Sequence, residues 1–259
     1  MYIINGENIE IAYEKNMVIK GIDLTIKKGE ILSILGTNGC GKSTLLKAIS
    51  RVIPYKSGTI SLEGEIIHNI KSKEFAKKLA FVSQNNEIPD DITVEAFIKY
   101  GRMPHKRWYE VLNKEDDEIV VWAMQMCKIE KFKDRKVMSL SGGERQKVWI
   151  AMVLAQKTPV LLLDEPTTYL DICHQFEIME LVRELNRELN ITIVMVLHDL
   201  NQASQYSDRV LVLKDGKKYA EGVTGEVLTP KLVREVYRVE SEVEFQNNLP
   251  YFKLKGIVK

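Results

Sequence analysis

Apolar residues follow two rhythms along this chain, and the change from one to the other predicts its architecture. Over residues 9–13 and 19–26 they alternate with polar ones, with a polar break at 14–16, so residues 2–28 predict an antiparallel hairpin or small sheet. A Lys-Gly turn at 28–29 leads into residues 31–35, a buried strand that is apolar except for Ser33. Next comes a helix over 42–51, stopped before Pro54. Residues 58–63 and 65–67 predict a strand pair around Gly64, and 79–83 another short strand. From about 85 to 158 the spacing is helical, over 93–100, 114–127, 131–134 and 143–156. The acidic run at 115–118 reads as the solvated first turn of one of these helices.

Beyond residue 158 short apolar runs return at 160–163, 191–197 and 209–213, alternating with helices at 173–190 and 200–206. Continuous apolar strands between helices predict a mostly parallel sheet covered on both faces. Gly216 marks a turn. Short helices follow from about 224, and a polar alternating end over 240–258 is too short for an independent regulatory domain.

Residues 36–44, GTNGCGKST, sit between the buried strand at 31–35 and the helix after it. They match G-x-x-x-x-G-K-[ST] in the strand–loop–helix setting the pattern requires. Gly36, Gly39 and Gly41 allow a tight turn and close approach to a ligand. The main-chain N–H groups of Thr37, Asn38, Cys40 and Thr44 can then join them in a nest for phosphate, reinforced by the helix N-terminus. Lys42 is placed for the β- and γ-phosphates and Ser43 for Mg²⁺. The loop alone does not separate an ATPase from a GTPase or a small-molecule kinase.

Two further stretches narrow the choice. VLLLDE at 160–165 ends an apolar strand in two carboxylates, and ligands of open α/β sheets lie at the carboxyl ends of strands. Asp164 is thereby placed for the Mg²⁺ shell. Glu165 points elsewhere, since strand side chains alternate, and suits a general base for an attacking water. LSGGERQ at 140–146 is either an ordinary N-capped helix or a second anion site, with Ser141 as the cap and Gly142 and Gly143 permitting close approach. One phosphate loop does not need two such sites for one triphosphate. The economical answer is that the second serves a nucleotide held by another copy of the chain.

Bulk properties mainly exclude. Across 259 residues, 45% hydrophobic and 28% charged content is ordinary for a soluble globular protein, and the net charge of +1 provides no global attraction to nucleic acid or anionic lipid. No apolar run approaches the ~20 residues that span a bilayer, and residues 1–13 do not resemble a secretory signal. Cys40, Cys127 and Cys173 are scattered, which supports neither a zinc site nor a disulfide framework. Cys40 reads as a small filler inside the loop. His68, His105 and His174 have no evident partners and read as solvated, and Trp108, Trp122 and Trp149 read as packing residues.

LSGGERQ resembles the signature motif of ABC-family ATPases, and its place between the phosphate loop and LLLDEP fits the order of that family. The resemblance covers nearly the whole chain. It implies an α/β fold: a P-loop NTPase core with a mostly parallel sheet, an N-terminal antiparallel β subdomain and an inserted helical subdomain. These would form a single domain over 1–259, with core at 1–84 and 159–259 and helical part at 85–158. Gln84 in FVSQ matches the family's Q-loop, which touches Mg²⁺ and water and senses the transporter. Asp171 in TTYLD matches the D-loop, His198 in LHDL the switch histidine at the γ-phosphate, and Tyr13 the aromatic that stacks on adenine. Thr168 stands where many members carry serine.

The stretch ITVEAFIKYGRMPH at 92–105, with TTYLDICHQ at 167–175, is similar to the importer group for iron-siderophores, haem and cobalamin. The resemblance implies ATP and Mg²⁺ as ligands and a homodimer in the ATP-bound state. It also implies membrane permease subunits, an indirect extracytoplasmic binding protein, no nucleic acid, and a place on the cytoplasmic face of the membrane. The rivals are an ABC ATPase for another substrate and a soluble one acting on DNA or ribosomes. The latter kind typically carries a long coiled-coil insertion or two cassettes, and neither is present here.

Overall fold

A computed structural model describes residues 1–14, 16–84, 87–246 and 249–258. Lys15 in the expected polar break, Asn85 at the expected start of the helical stretch and residues 247–248 of the polar end lie outside them. The chain groups into two compact units, Met1–Asn69 with Thr192–Lys259, and Ile70–Ile191.

The first unit opens with β1 (Tyr2–Tyr13) and β2 (Asn16–Lys27), an antiparallel pair. Alternation places Ile9 and Ile11 of β1 on the buried side, and a register shift opposite Ile9–Glu10, at Gly21, brings Ile19 to the same side as Ile22 and Ile26 in β2. β3 (Ile31–Gly36) is buried along its whole length. Its one polar side chain, Ser33, is satisfied by Ser207, with the two hydroxyl oxygens 2.6 Å apart. α1 (Lys42–Ile49) follows, then β4 (Ser57–Leu62), antiparallel to β1, and the short β5 (Glu65–Ile66) beside β4. His68 is exposed, as expected, and also packs its ring on Tyr55 at 4.7 Å between centroids.

The second unit contains α2 (Ser72–Ala76), β6 (Leu79–Val82), α3 (Val94–Ile98), α4 (Lys114–Met126), α5 (Gly142–Ala155), β7 (Val160–Asp164) and α6 (Ile172–Leu189). β6 and β7 run parallel, from Leu79 opposite Val160 to Val82 opposite Leu163. Residues 131–134, expected to be helical, hold only a 3₁₀ turn over Glu130–Phe132. Trp149 packs edge-on against Phe97, with centroids 4.6 Å apart, and Trp122 takes the Lys157 ammonium on its face at 3.1 Å. Trp108 departs from the packing role expected of it, being 96% exposed. His105 is also paired rather than solvated, with its Nε2 2.8 Å from the Gln156 carbonyl oxygen.

The acidic run at 115–118 does open α4, but Asp116 is buried rather than solvated. Asn113 and Asp116 cap the helix reciprocally. Arg102 Nε donates to Asp116 at 3.0 Å, and the Lys106 ammonium pairs with its other oxygen. Burial alone would raise the carboxyl pKa. The Asn113 N–H, Lys106 and Arg102 outweigh it and bring the value to about 2.

The first unit resumes with β8 (Thr192–Val196), α7 (Leu200–Tyr206), β9 (Arg209–Lys214) and β10 (Lys217–Val223). β3 lies between β8 and β9, parallel to both, and β10 returns antiparallel on β9. The polar end forms a hairpin of β11 (Val239–Gln246) and β12 (Leu249–Ile257). Asn201 of α7 fastens it with a matched pair of hydrogen bonds to the Phe252 main chain, at 2.7 and 3.2 Å. Among the described residues no helix is long and apolar enough to cross a membrane.

Candidate active site

In the first unit the site grows from the carboxyl ends of β3 and β8. Ile34 and Val196 are register partners, and Leu197 N–H donates to the Ile34 carbonyl at 3.2 Å. The phosphate loop leaves β3 at Gly36, and exposed His198 leaves β8 immediately after this tie. The two predicted γ-phosphate groups therefore rise from adjacent parallel strands, where such sheets bind ligands.

Gly36 has φ of 141°, and a Cβ there would lie 2.3 Å from the Leu213 carbonyl oxygen and 2.7 Å from the Cys40 sulfur. Only glycine fits this crossing. The loop turns back through a hydrogen bond from Cys40 N–H to Thr37 O at 3.3 Å, with Asn38 and Gly39 exposed at its tip. Gly41, at φ of 103°, is the N-cap of α1, so no side chain fills the first turn of that helix. Lys42 is almost fully buried, and its ammonium donates to Gly36 O at 2.9 Å and Thr37 O at 3.0 Å. The cation thus lies against the loop's own carbonyls. Ser43 and Thr44 are half-buried in the same helical turn. Burial pushes the Cys40 thiol upward in pKa against the opposing pull of Lys42, which suits a filler residue rather than a reactive one. Tyr13 ends β1 with a half-exposed ring.

In the second unit β7 delivers Asp164 at its carboxyl end, 2% exposed. Glu165 then turns the chain with φ of 54°, the left-handed region that a residue with a Cβ adopts at a cost of about 1–3 kcal/mol. This reversal re-aims the second carboxylate. Gln84 Nε2 donates to Glu165 Oε2 at 2.6 Å and Thr168 Oγ1 donates to the same oxygen at 3.0 Å. Thr168 therefore supplies the hydroxyl that serine would. A cleft of about 580 Å³ has Gln84, Gly142, Gln146, Trp149, Thr168 and Tyr169 in its walls.

Ser141 is the N-cap of α5 in a complete capping box. Glu144 N–H donates to the Ser141 hydroxyl at 3.3 Å, and Ser141 N–H donates to the Glu144 carboxylate at 2.8 Å. That bond holds the Glu144 carboxyl below its usual range. Asp171 caps α6, accepting His174 N–H at 2.9 Å, and its second oxygen lies 2.8 Å from His174 Nδ1. These bonds lower the Asp171 carboxyl in turn. The His174 ring lies against Gly143, where a Cβ would sit 2.1 Å from the imidazole Cδ2. The sequence pattern points to a solvated His174, whereas here its ring is half-buried and paired. The signal that could have found it is the Asp-x-x-His spacing at a helix start, which puts both side chains on one face.

A glycine loop feeding a helix, with its lysine held at the loop and a strand-end carboxylate pair, defines a P-loop nucleotide-binding protein of the α/β class. A family model described as ABC transporter matches residues 19–168, and the chain belongs to that family as an ATP-hydrolysing cassette. It is 48% identical over 257 residues to the petrobactin import ATP-binding protein FpuC of Bacillus anthracis, covering 99% of this chain and 94% of that one. The fold matches a structure described as an inward-facing metal-chelate type ABC transporter, with TM-score 0.85 and 25% identity over 99% and 98% of the two chains. It also matches the dimeric cassette MJ0796 bound to ADP and Pi, with TM-score 0.74 and 30% identity over 85% and 98%.

Proposed function

We propose that this chain is the ATP-hydrolysing subunit of an importer for an iron-siderophore or a similar iron, haem or cobalamin complex. The observation that carries this reading is likeness along nearly the whole chain to a petrobactin import ATPase, together with an intact phosphate loop. The subunit would sit on the cytoplasmic face of the membrane against permease subunits, receive its cargo signal indirectly from an extracytoplasmic binding protein, and have no nucleic-acid partner. The whole of 1–259 would act as one cassette.

In this reading ATP is held by the main chain of residues 36–44 and by Lys42, with Tyr13 stacked on adenine. The buried Asp164 carboxylate and the Ser43 hydroxyl are hard oxygen donors of the kind Mg²⁺ takes, its shell being completed by phosphate and water. Ser43, Asp164 and Gln84 would be its donors, and Mg²⁺ bound there would neutralise charge on the phosphates. Glu165 takes the proton of the attacking water, with Gln84 and Thr168 fixing its carboxylate. His198 contacts the γ-phosphate. The second copy contributes Ser141, Gly142 and Gly143, with Asp171 crossing between copies, so each phosphate loop is half of a site. The dimeric ADP-bound relative supports two copies as the working unit.

The test is Glu165→Gln. It should yield an ATP-stabilised dimer with turnover reduced at least about 100-fold, and liposomes carrying the co-encoded permease should take up a loaded siderophore only with the wild-type chain. A Glu165→Gln chain that stays monomeric in excess ATP yet hydrolyses normally contradicts the two-copy site, and tight DNA binding at moderate salt contradicts the transport role.

A further inference from the structure

We propose that His174 is a positioning residue that ties the Asp171 turn to the signature helix, so that the two elements offered to a second copy move together. The inference deepens the two-copy reading and rests on it. Three contacts converge on this histidine. Asp171 accepts its main-chain N–H at 2.9 Å, and the same carboxylate lies 2.8 Å from Nδ1, fixing both the start of α6 and the rotation of the ring. The ring then lies so close to Gly143 that no larger residue fits there. One turn further on, Lys147 of α5 pairs with Glu177 of α6 at 2.8 Å, which holds the two helices in that register.

The arrangement has a direct consequence. Asp171 and Gly143 belong to separate loops in sequence, but neither can shift without moving the imidazole between them. Locking them before association means that the second copy meets a preformed surface, and the ordering cost at closure falls. His174 touches neither nucleotide nor water in this reading, so its effect comes through its two neighbours.

The test uses His174→Ala and His174→Asn, each also in the Glu165→Gln background. Asparagine can place an amide N–H where Nδ1 stands, and alanine cannot. His174→Ala should weaken ATP-dependent dimerisation of the Glu165→Gln chain about tenfold, and lower turnover per ATP-binding chain by a similar factor. ATP affinity of the single chain should stay within about twofold. His174→Asn should recover most of both losses. Asp171→Ala combined with His174→Ala should cost no more turnover than the larger single effect, because the two act as a unit. Full dimerisation and turnover in His174→Ala, equal losses in the Ala and Asn variants, or losses that multiply with Asp171→Ala each overturn the proposal. If Glu165→Gln itself forms no ATP-dependent dimer, it is the two-copy reading that fails, so the two failures are distinct. Thermal unfolding midpoints of the variants identify any loss that comes from unfolded chain.

Discussion

Two helices of this protein start with glycine-rich segments, and they start in opposite ways. α1 begins at Gly41, in a left-handed conformation and with no side chain to cap it. α5 begins at Ser141, whose hydroxyl takes the Glu144 N–H while Glu144 takes the N–H of Ser141. Every helix start exposes about four N–H groups that need acceptors. No side chain caps α1, and the buried Lys42 stands in its first turn, which in the proposed reading leaves that need to a phosphate. α5 meets part of it internally. In the proposed reading the first design would bind phosphate by itself. The second is a formed surface with limited residual demand, suited to completing a site whose ligand is already held elsewhere.

The largest test of this contrast is Lys42→Ala. It removes the cation from the open helix start and strips Gly36 O and Thr37 O of a donor. A charge-assisted contact to phosphate is worth about 3 kcal/mol, so ATP affinity measured by calorimetry should fall roughly 100-fold. Ser141→Ala should leave ATP affinity of the single chain within about twofold, because the self-capped helix does not bind the nucleotide alone. Equal losses from both substitutions would abolish the distinction.

How much of this was legible in sequence follows the range of the interaction. The phosphate loop is local, so its residues, its strand and its helix could be read from spacing. So could the Ser141 cap and the strand-end carboxylates. β10 was missed because Lys217–Val223 is polar and exposed, lying at an edge where alternation carries little signal. Asp116 was misjudged because Arg102 and Lys106, which make its burial tolerable, come from the preceding turn rather than from its own helix. The left-handed Glu165 could not be read either. Strand alternation predicts that the two carboxylates diverge, but it does not reach Glu165, which follows the end of β7 and turns the backbone into the left-handed region.

A third helix start extends the comparison. α4 has a reciprocal cap like that of α5, but its acid, Asp116, is also paired with the buried Arg102 and the half-buried Lys106. Its carboxyl pKa is lowered from 3.8 to about 2 in the folded chain. A lowered folded value means stability fully present above the unfolded pKa and lost as pH falls through the folded one. The pair therefore contributes about 2 kcal/mol at neutral pH that disappears between about pH 4 and pH 2. Denaturant titrations of wild type and Asp116→Asn should differ by at least that amount at pH 7 and converge toward pH 2. A constant difference would mean that the carboxyl is not held low.

The smallest effect belongs to the signature helix itself. Replacing Ser141 with alanine removes one cap acceptor and leaves the Glu144 N–H to water, a loss of about 1 kcal/mol in unfolding free energy. Glu144 retains the N–H of residue 141, so the box is only half broken. Glu144→Ala breaks the other half, and the double variant should cost less than the sum of the two, because each side chain orders the other. Were the losses strictly additive, the box would be two independent bonds rather than one cooperative cap.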